Sequence, residues 1–585
     1  MTQKLSINLL ISLFLFTIGP SKAVFSQTAN ISPEFLSAPP NAPLHVIVQF
    51  ANGPNSDKHR VVNSLGGNLR REMRSIHGAS YSLPASSLLS LAADPDVVLI
   101  SPDHPVHVTL DNTAAATNAS VAWASGLDGT GIGVAVIDSG ISPHDDLQGS
   151  SASRIVYSQD FTGGDGTDHF GHGEHVAGII AGSGADSNCA ICSRHLIGIA
   201  PNVNLIDLRV LDQYGNGTDS GVIAAIETAI ALQSQYNIRI INLSLGRPVF
   251  QSYTTDPLCQ AVEAAWQAGI VVVVAAGNDG RTNIANNNGY GTINAPGNDP
   301  FVITVGAMKS MGTPSRADDL IASYSSKGPT QVDHIVKPDL IAPGNRVVSL
   351  LAANSTLATL YPQNAVAFSY YQWTNNNRIS PAYFTLSGTS MATPVVSAAA
   401  ALLLQSNPSL TPDQVKARLM RTAYKNLPLT SAVVDSATGQ TFASQYDIFT
   451  IGAGYLDIAA ALSDSTPFWG SALSPVATFN RSSDDNESDD DGALSTTIKC
   501  TWGTVCASQI WSKKWPFAAL GIWGAQTIAS GTSIWGDQSI WADQSIWADQ
   551  SIWADQSIWA DQSIWADQSV WADTLRSKIA VQGEN

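Results

Sequence analysis

The chain has 585 residues, a net charge of −18 at pH 7 and 44% hydrophobic residues, and only 13% of its residues are charged, against about a quarter in an average soluble protein. That length exceeds one ordinary domain, and the apolar content suffices for a large buried core. An acidic surface repels phosphate backbones and anionic lipid, which argues against nucleic acid as a partner.

Lys4 precedes an apolar run over residues 7–18, followed by Gly19-Pro20 and the small residues Ser21 and Ala23. This is the pattern of an export signal, residues 1–23, cleaved near Ala23. The run is too short to cross a hydrocarbon core of about 30 Å, and no later segment of that length lacks charges and breakers. The mature chain is therefore expected to be secreted and extracellular, without a transmembrane segment; surface association or a periplasmic location stays open. Cys189, Cys192, Cys259, Cys500 and Cys506 cannot all pair. Local pairs 189–192 and 500–506 would leave Cys259 free, but spacing does not fix connectivity. Cys189, Cys192 and His195 also admit a zinc reading, which an exported chain without a second Cys-x-x-Cys disfavours.

Residues 43–107 read as a small unit. Residues 44–50 alternate as a strand, 57–65 are helical, Gly66-Gly67 stop the helix, 79–83 are extended, 85–93 form a second helix and 97–100 an apolar strand. Strand, helix, strand, helix, strand predicts an α+β sandwich. From 112 to 462, short apolar runs at 133–137, 203–208, 238–243, 271–275 and 302–305 alternate with helical candidates at 175–181, 220–236 and 257–268. The expected class is α/β, a doubly wound, mostly parallel sheet. Active residues in such sheets gather beyond the carboxyl ends of strands, where Asp138 and Asn278 fall.

Three Gly-flanked segments carry the chemistry: Gly-Val-Ala-Val-Ile-Asp-Ser-Gly (133–140), Gly-His-Gly-Glu-His-Val-Ala-Gly (171–178) and Ser-Gly-Thr-Ser-Met-Ala-Thr-Pro (387–394). Ser390 opens a helical run over 391–405, with Pro394 expected in its first turn, and a helix amino end favours a developing oxyanion. Taken alone, Ser390 reads as a helix cap, Asp138 as a turn residue after a strand, and Asn278-Asp-Gly as a turn. Together, in the order Asp, His, Ser, they resemble the subtilases, the subtilisin-like serine peptidases. The resemblance covers about 350 residues. It implies Ser390 as nucleophile, His172 as general base with His175 structural, Asp138 as the residue that orients the imidazole, and Asn278 as oxyanion donor with the Ser390 amide. It further implies that Ser244, Leu245 and Gly246, and the stretch 211–217 with Gly215, bind an extended polypeptide substrate by main-chain pairing. Asp279 and Asn294 border the specificity pocket by the same register. Residues 43–107 resemble the family's propeptide, which assists folding and fills the cleft until it is cut off. The chain's own propeptide is thus an expected partner.

Two departures stand out. Glu174 occupies a place where these enzymes usually have Thr, and a carboxylate close to His172 would raise its pKa. The spacing His172-Gly-Glu-His175 is not that of a zinc protease. The loop 182–195 carries the Cys-x-x-Cys where many relatives place a calcium loop, which leaves calcium open as a structural ion and implies no other cofactor. Residues 345–384 form an insertion with no readable role.

Beyond 462 the composition changes. Residues 463–500 read as an acidic linker, solvated around 482–492. Residues 501–574 form a separate Trp-containing region that ends in seven hexads from Ser533, typified by Ser-Ile-Trp-Ala-Asp-Gln. A six-residue period spreads Trp around a helix, whereas in short strands it keeps Trp on one face, so a β-solenoid or disorder is expected. A Trp ladder could take a surface polymer as ligand. The leading function is a self-processed serine endopeptidase; the alternative is a catalytically silent surface or adhesion protein that works through its repeats.

Overall fold

The structure, a computed structural model, describes residues 30–31, 35, 43–102, 112–149, 152–282, 288–374, 376–435, 438–481, 494–499 and 583–584. The export segment 1–23, Cys500, Cys506 and the repeats lie outside the described residues. The chain divides into two compact units, 1–106 and 107–585.

The first unit is a five-stranded sheet with two helices. Its strands are β1 (Asn30–Ile31), β2 (Pro43–Phe50), β3 (Asn68–Met73), β4 (Gly78–Pro84) and β5 (Val97–Pro102), in the order β1-β5-β2-β4-β3. Helix α1 (Ser56–Ser64) starts where the Asn55 side chain accepts hydrogen bonds from the amides of Asp57 and Lys58, and it stops before Gly66 at φ 82°. Helix α2 (Leu88–Ala92) follows a 3-10 turn. Alternate residues Val46, Val48 and Phe50 join Val62, Tyr81 and Ile100 in a separate apolar core. The unforeseen strand is β3, Asn-Leu-Arg-Arg-Glu-Met. It is an exposed edge strand, and its charges erase the apolar alternation by which strands are recognised.

The second unit is built on an eight-stranded sheet: β6 (Gly133–Asp138), β7 (Ile155–Asp160), β8 (Asn204–Arg209), β9 (Ile238–Leu243), β10 (Val271–Ala275), β11 (Ile303–Lys309), β12 (Leu320–Ile321) and β13 (Leu340–Pro343). The order is β12-β11-β10-β9-β6-β8-β7, with β13 also pairing β11, and only the β11–β12 pair is antiparallel. Every residue of β6, β10, β11 and β13 is buried, which is why these strands read as continuous apolar runs. The sheet places Asp138 at the end of β6, while Asn278 lies three residues past β10.

Helix α3 (His172–Ala181) and helix α4 (Thr389–Ser406) pack against each other, and α4 also crosses β9, β10 and β11. By length and composition α4 could cross a membrane, yet it is buried along nearly its whole length as the core helix of this unit. It begins at Thr389, so Pro394 lies inside the helix rather than in its first turn. Proline has no N–H to give the Ser390 carbonyl; the Ser244 hydroxyl donates to that carbonyl instead, at 2.8 Å.

The insertion 345–384 has a structural place. Its strands β14 (Val347–Leu350), β15 (Ala365–Ala367) and β16 (Ile379–Leu386) form an antiparallel sheet in the order β14-β16-β15. The amides of Thr356 and Leu357 donate to the carbonyls of His169 and Phe170, at 2.9 and 3.0 Å, so the insertion buttresses the turn that leads into α3. The loop 182–195 is closed by a Cys189–Cys192 disulfide, which removes the zinc reading, and Cys259 is a buried free thiol. The expected boundary at 462 falls short. Phe468, Ala472 and Ala477 belong to the main core, and residues Val476–Arg481 pair with Leu494–Lys499 as a hairpin, so both ends of the expected linker are structured.

Candidate active site

Asp138 is 1% exposed at the carboxyl end of β6. Its Oδ1 accepts from the Ser139 amide at 2.8 Å and lies 2.7 Å from His172 Nδ1. Glycine makes this approach feasible. A side chain on Gly173 would stand 2.3 Å from the Gly140 carbonyl oxygen, and the Gly173 amide donates to the Ser139 hydroxyl at 2.9 Å. A second carboxylate, which motif reading passed over, organises the same corner. Asp168, 3% exposed, accepts from the Ser139 hydroxyl and from the amides of Phe170, Gly171 and Glu174. Its signal in the sequence is that of an Asx turn ahead of a helix, too common to single out.

The two histidines of the motif differ in environment. Burial works to lower the pKa of His172, but the charge and hydrogen bond of Asp138, with Asp168 beyond, outweigh it and hold the imidazole above its ordinary value. His175 is buried with His172 as a neighbouring like charge and no carboxylate partner, which takes it down to about 3. It is neutral at neutral pH, with Nε2 at 3.1 Å from the carbonyls of Val347 and Phe384.

Glu174 does not act on His172 as a nearby charge. Burial, then the neighbouring charges of Asp168 and Asp207, push its carboxyl well above the usual range despite a 2.6 Å hydrogen bond from the Ser142 amide to Oε2. Burial therefore favours the protonated form of this carboxyl. The elevation of His172 comes from Asp138 and Asp168 instead.

Ser390 is 4% exposed in the first turn of α4, after Gly388 at φ 145°. Its amide is one of the first-turn N–H groups that lack an intrahelical acceptor. Its hydroxyl donates to the Ser244 carbonyl at 3.1 Å rather than to His172. Such bonds often align only when substrate binds. Asn278 is oriented by a residue the motifs did not single out: the Thr389 amide donates to Asn278 Oδ1 at 2.9 Å. Because a donor fixes the oxygen, Nδ2 is left free to donate elsewhere.

Ser390, Asn278, Ser244, Leu245 and Gly246 line one open pocket, with Asp279 and Asn294 also on its wall. Gly215 is not on that wall; it sits in a turn at φ 80°, where a side chain would stand 2.7 Å from the Phe170 ring. The stretch 211–217 is likewise a turn and not a strand. For a cation, the group His144, Asp146 and Asp186 brings ligand atoms within 4.8 Å of one another. The set does not fit calcium, which takes six to eight oxygens. His144 Nδ1 accepts from the Asp146 amide, and the two oxygens of Asp146 accept from the Asp186 amide and the Tyr383 hydroxyl.

Comparison with known proteins agrees with this geometry. The model of the subtilase family matches residues 129–446. Serine protease AprX of Bacillus subtilis is 38% identical over 395 residues, covering 64% of this chain and 81% of that protein. Subtilisin E of Bacillus subtilis is 32% identical over 373 residues, with 63% and 81% covered. The thermostable alkaline protease of Halalkalibacterium halodurans is 33% identical over 349 residues, with 58% and 76% covered. With an Asp138–His172 pair, a pocket lined by Ser390 and Asn278, a mostly parallel sheet and a family match over more than half its length, the chain belongs to the subtilase family and is a serine-type endopeptidase.

Proposed function

We propose that the chain is a secreted, self-processed endopeptidase in which Ser390 is the nucleophile. His172 takes the hydroxyl proton as Oγ attacks the peptide carbonyl carbon. Asp138 holds the imidazole through Nδ1 and stabilises its cation. The oxyanion that forms is met by Asn278 Nδ2 and the Ser390 amide. His172 then gives its proton to the leaving amine, the C–N bond breaks, and an acyl-enzyme remains. Water repeats the sequence: His172 accepts its proton, the ester bond to Oγ breaks, and the proton returns to Ser390.

The observation that carries this reading is the 2.7 Å Asp138–His172 contact, together with Ser390 and Asn278 on one pocket wall. Main-chain groups of 244–246, with the turn at Gly215, would hold the polypeptide extended along the cleft. Residues 43–107 act as the propeptide, and residues 1–23 direct export. A fluorophosphonate probe is expected to label the processed protein on Ser390 and to fail on Ser390→Ala. Absence of labelling, while a known serine hydrolase reacts alongside, would sink the assignment.

A further inference from the structure

Residues 583–584, beyond the Trp hexads, lie in the second unit, and Glu584 is 3% exposed. Its Oε1 accepts from the Ser323 amide and from Arg281 Nη2, both at 2.9 Å, and also from the Ser323 hydroxyl. Its backbone is read as well. The Glu584 amide donates to Asn345 Oδ1 at 2.9 Å, and Asn345 Nδ2 donates back to the Glu584 carbonyl at 3.0 Å, so one side-chain amide mimics a paired strand. The residue before it must be small. Gly583 has φ 79°, and a side chain there would stand 2.4 Å from Arg346 Cγ and 2.5 Å from the Ser387 hydroxyl.

Arg281 and Ser323 also have partners other than Glu584: Arg281 pairs with Asp435 at 2.7 Å and lies 4.3 Å over the Phe442 ring, and its Nε donates to the Ser323 hydroxyl at 2.5 Å. We infer that Arg281, Ser323 and Asn345 form a carboxylate-binding site for a Gly-Glu segment, filled in cis by Gly583-Glu584. Charge, main chain and space each contribute selectivity.

The location gives the site its consequence. Arg281 is three residues past Asn278, and Ser387 is three residues before Ser390. The Arg346 amide donates to the Ser387 hydroxyl at 2.8 Å, and the Gly388 amide to the Gly344 carbonyl at 2.8 Å. The docked dipeptide therefore ties together the two loops that deliver Asn278 and Ser390. The chain touches the catalytic unit on both sides of the repeats, at Ala477 through the His334 carbonyl and again at Glu584.

The test uses the full chain in a Ser390→Ala background, which silences self-digestion. Lys578, five residues before Gly583 in the sequence, gives added trypsin a cleavage point ahead of the docked dipeptide. Glu584→Gln and, separately, Gly583→Val are expected to speed release of the segment after Lys578 by about ten- to a hundredfold, the scale of losing hydrogen bonds to a charged group. The Ser323 amide should lose hydrogen-exchange protection in step. A synthetic peptide of residues 578–585, added to the Gly583→Val chain, should restore that protection, and the same peptide with Gln in place of Glu should not. Unchanged trypsin release and unchanged Ser323 protection in both variants would overturn the site. Equal rescue by the two peptides would overturn its selectivity for a carboxylate.

Discussion

His172 and His175 lie three residues apart on one helix and titrate in opposite directions, because only His172 has carboxylates in reach. The proposed mechanism needs a neutral His172 as proton acceptor. As its pKa lies above the ordinary 6.5, activity is expected to fall, as pH is lowered, through a midpoint above 6.5. A profile of kcat/KM against pH on a peptide substrate checks this, and an acid limb centred below that value would contradict the Asp138 and Asp168 influence. Glu174 makes a separate prediction. Above about pH 4.3 the unfolded chain loses this proton while the folded chain retains it, so the group makes stability fall with rising pH, by at most about 1.4 kcal/mol per pH unit. Glu174→Gln, a neutral isostere, removes that slope. Its stability relative to the parent, measured by urea unfolding in the Ser390→Ala background, should grow as pH rises from about 5, and the acid limb of the active enzyme should stay in place. The identity of Glu174 was legible in the motif, but its protonation was not. The upward shift comes first from burial and then from Asp168 and Asp207, none of which is set by neighbours in the chain.

At the scale of elements, five buried strands, β6 and β8–β11, were readable because their two covered faces demand apolar residues throughout, whereas the short buried β13 was not. The edge strands β3 and β7 (Ile155–Asp160) were not, because one or both faces meet water. The segment Lys337-Pro338-Asp339 becomes a buried charge cluster through packing. Asp339 Oδ2 lies 2.7 Å from Lys337 Nζ and accepts from the Thr304 amide at 2.8 Å, while Oδ1 accepts from Ser474 at 2.5 Å and lies 3.3 Å from Lys416 Nζ. Burial opposes the charge on Asp339, but the two lysines prevail and hold its pKa below the usual carboxylate value. Asp339→Asn would remove the carboxylate that offsets the burial of Lys337 and Lys416, whose pKa values burial already lowers, that of Lys416 to about 7, and is expected to cost about 3–5 kcal/mol, read as a lowered urea midpoint. For the parent, this contribution is present above the unfolded carboxyl pKa of about 3.9 and is lost as pH falls through the lower folded value. Ser474 shows why the unit outruns the expected boundary at 462: the core's charge cluster needs a donor from the next segment.

For the molecule as a whole, the first unit has its own apolar core, and residues 43–107, which contain it, are the segment proposed to be removed as a propeptide. If removal is the enzyme's own act, purified Ser390→Ala should retain residues 43–107 while the parent lacks them, as intact mass and amino-terminal sequencing would reveal. Identical trimming in the absence of other peptidases would contradict self-processing. The sequence by itself determined the α/β class, the order of the two units, and Asp138, His172, Asn278 and Ser390 as candidates. It did so because buried parallel strands and close backbone approaches restrict residue choice locally. Only the tertiary structure decided that Thr389 aims the Asn278 amide, that Ser244 replaces the hydrogen bond Pro394 cannot make, that burial pushes the Glu174 pKa up, and that Glu584 returns to the loops beside the site. Each of these rests on partners distant in sequence, whose desolvation and hydrogen bonding arise only when the chain has folded.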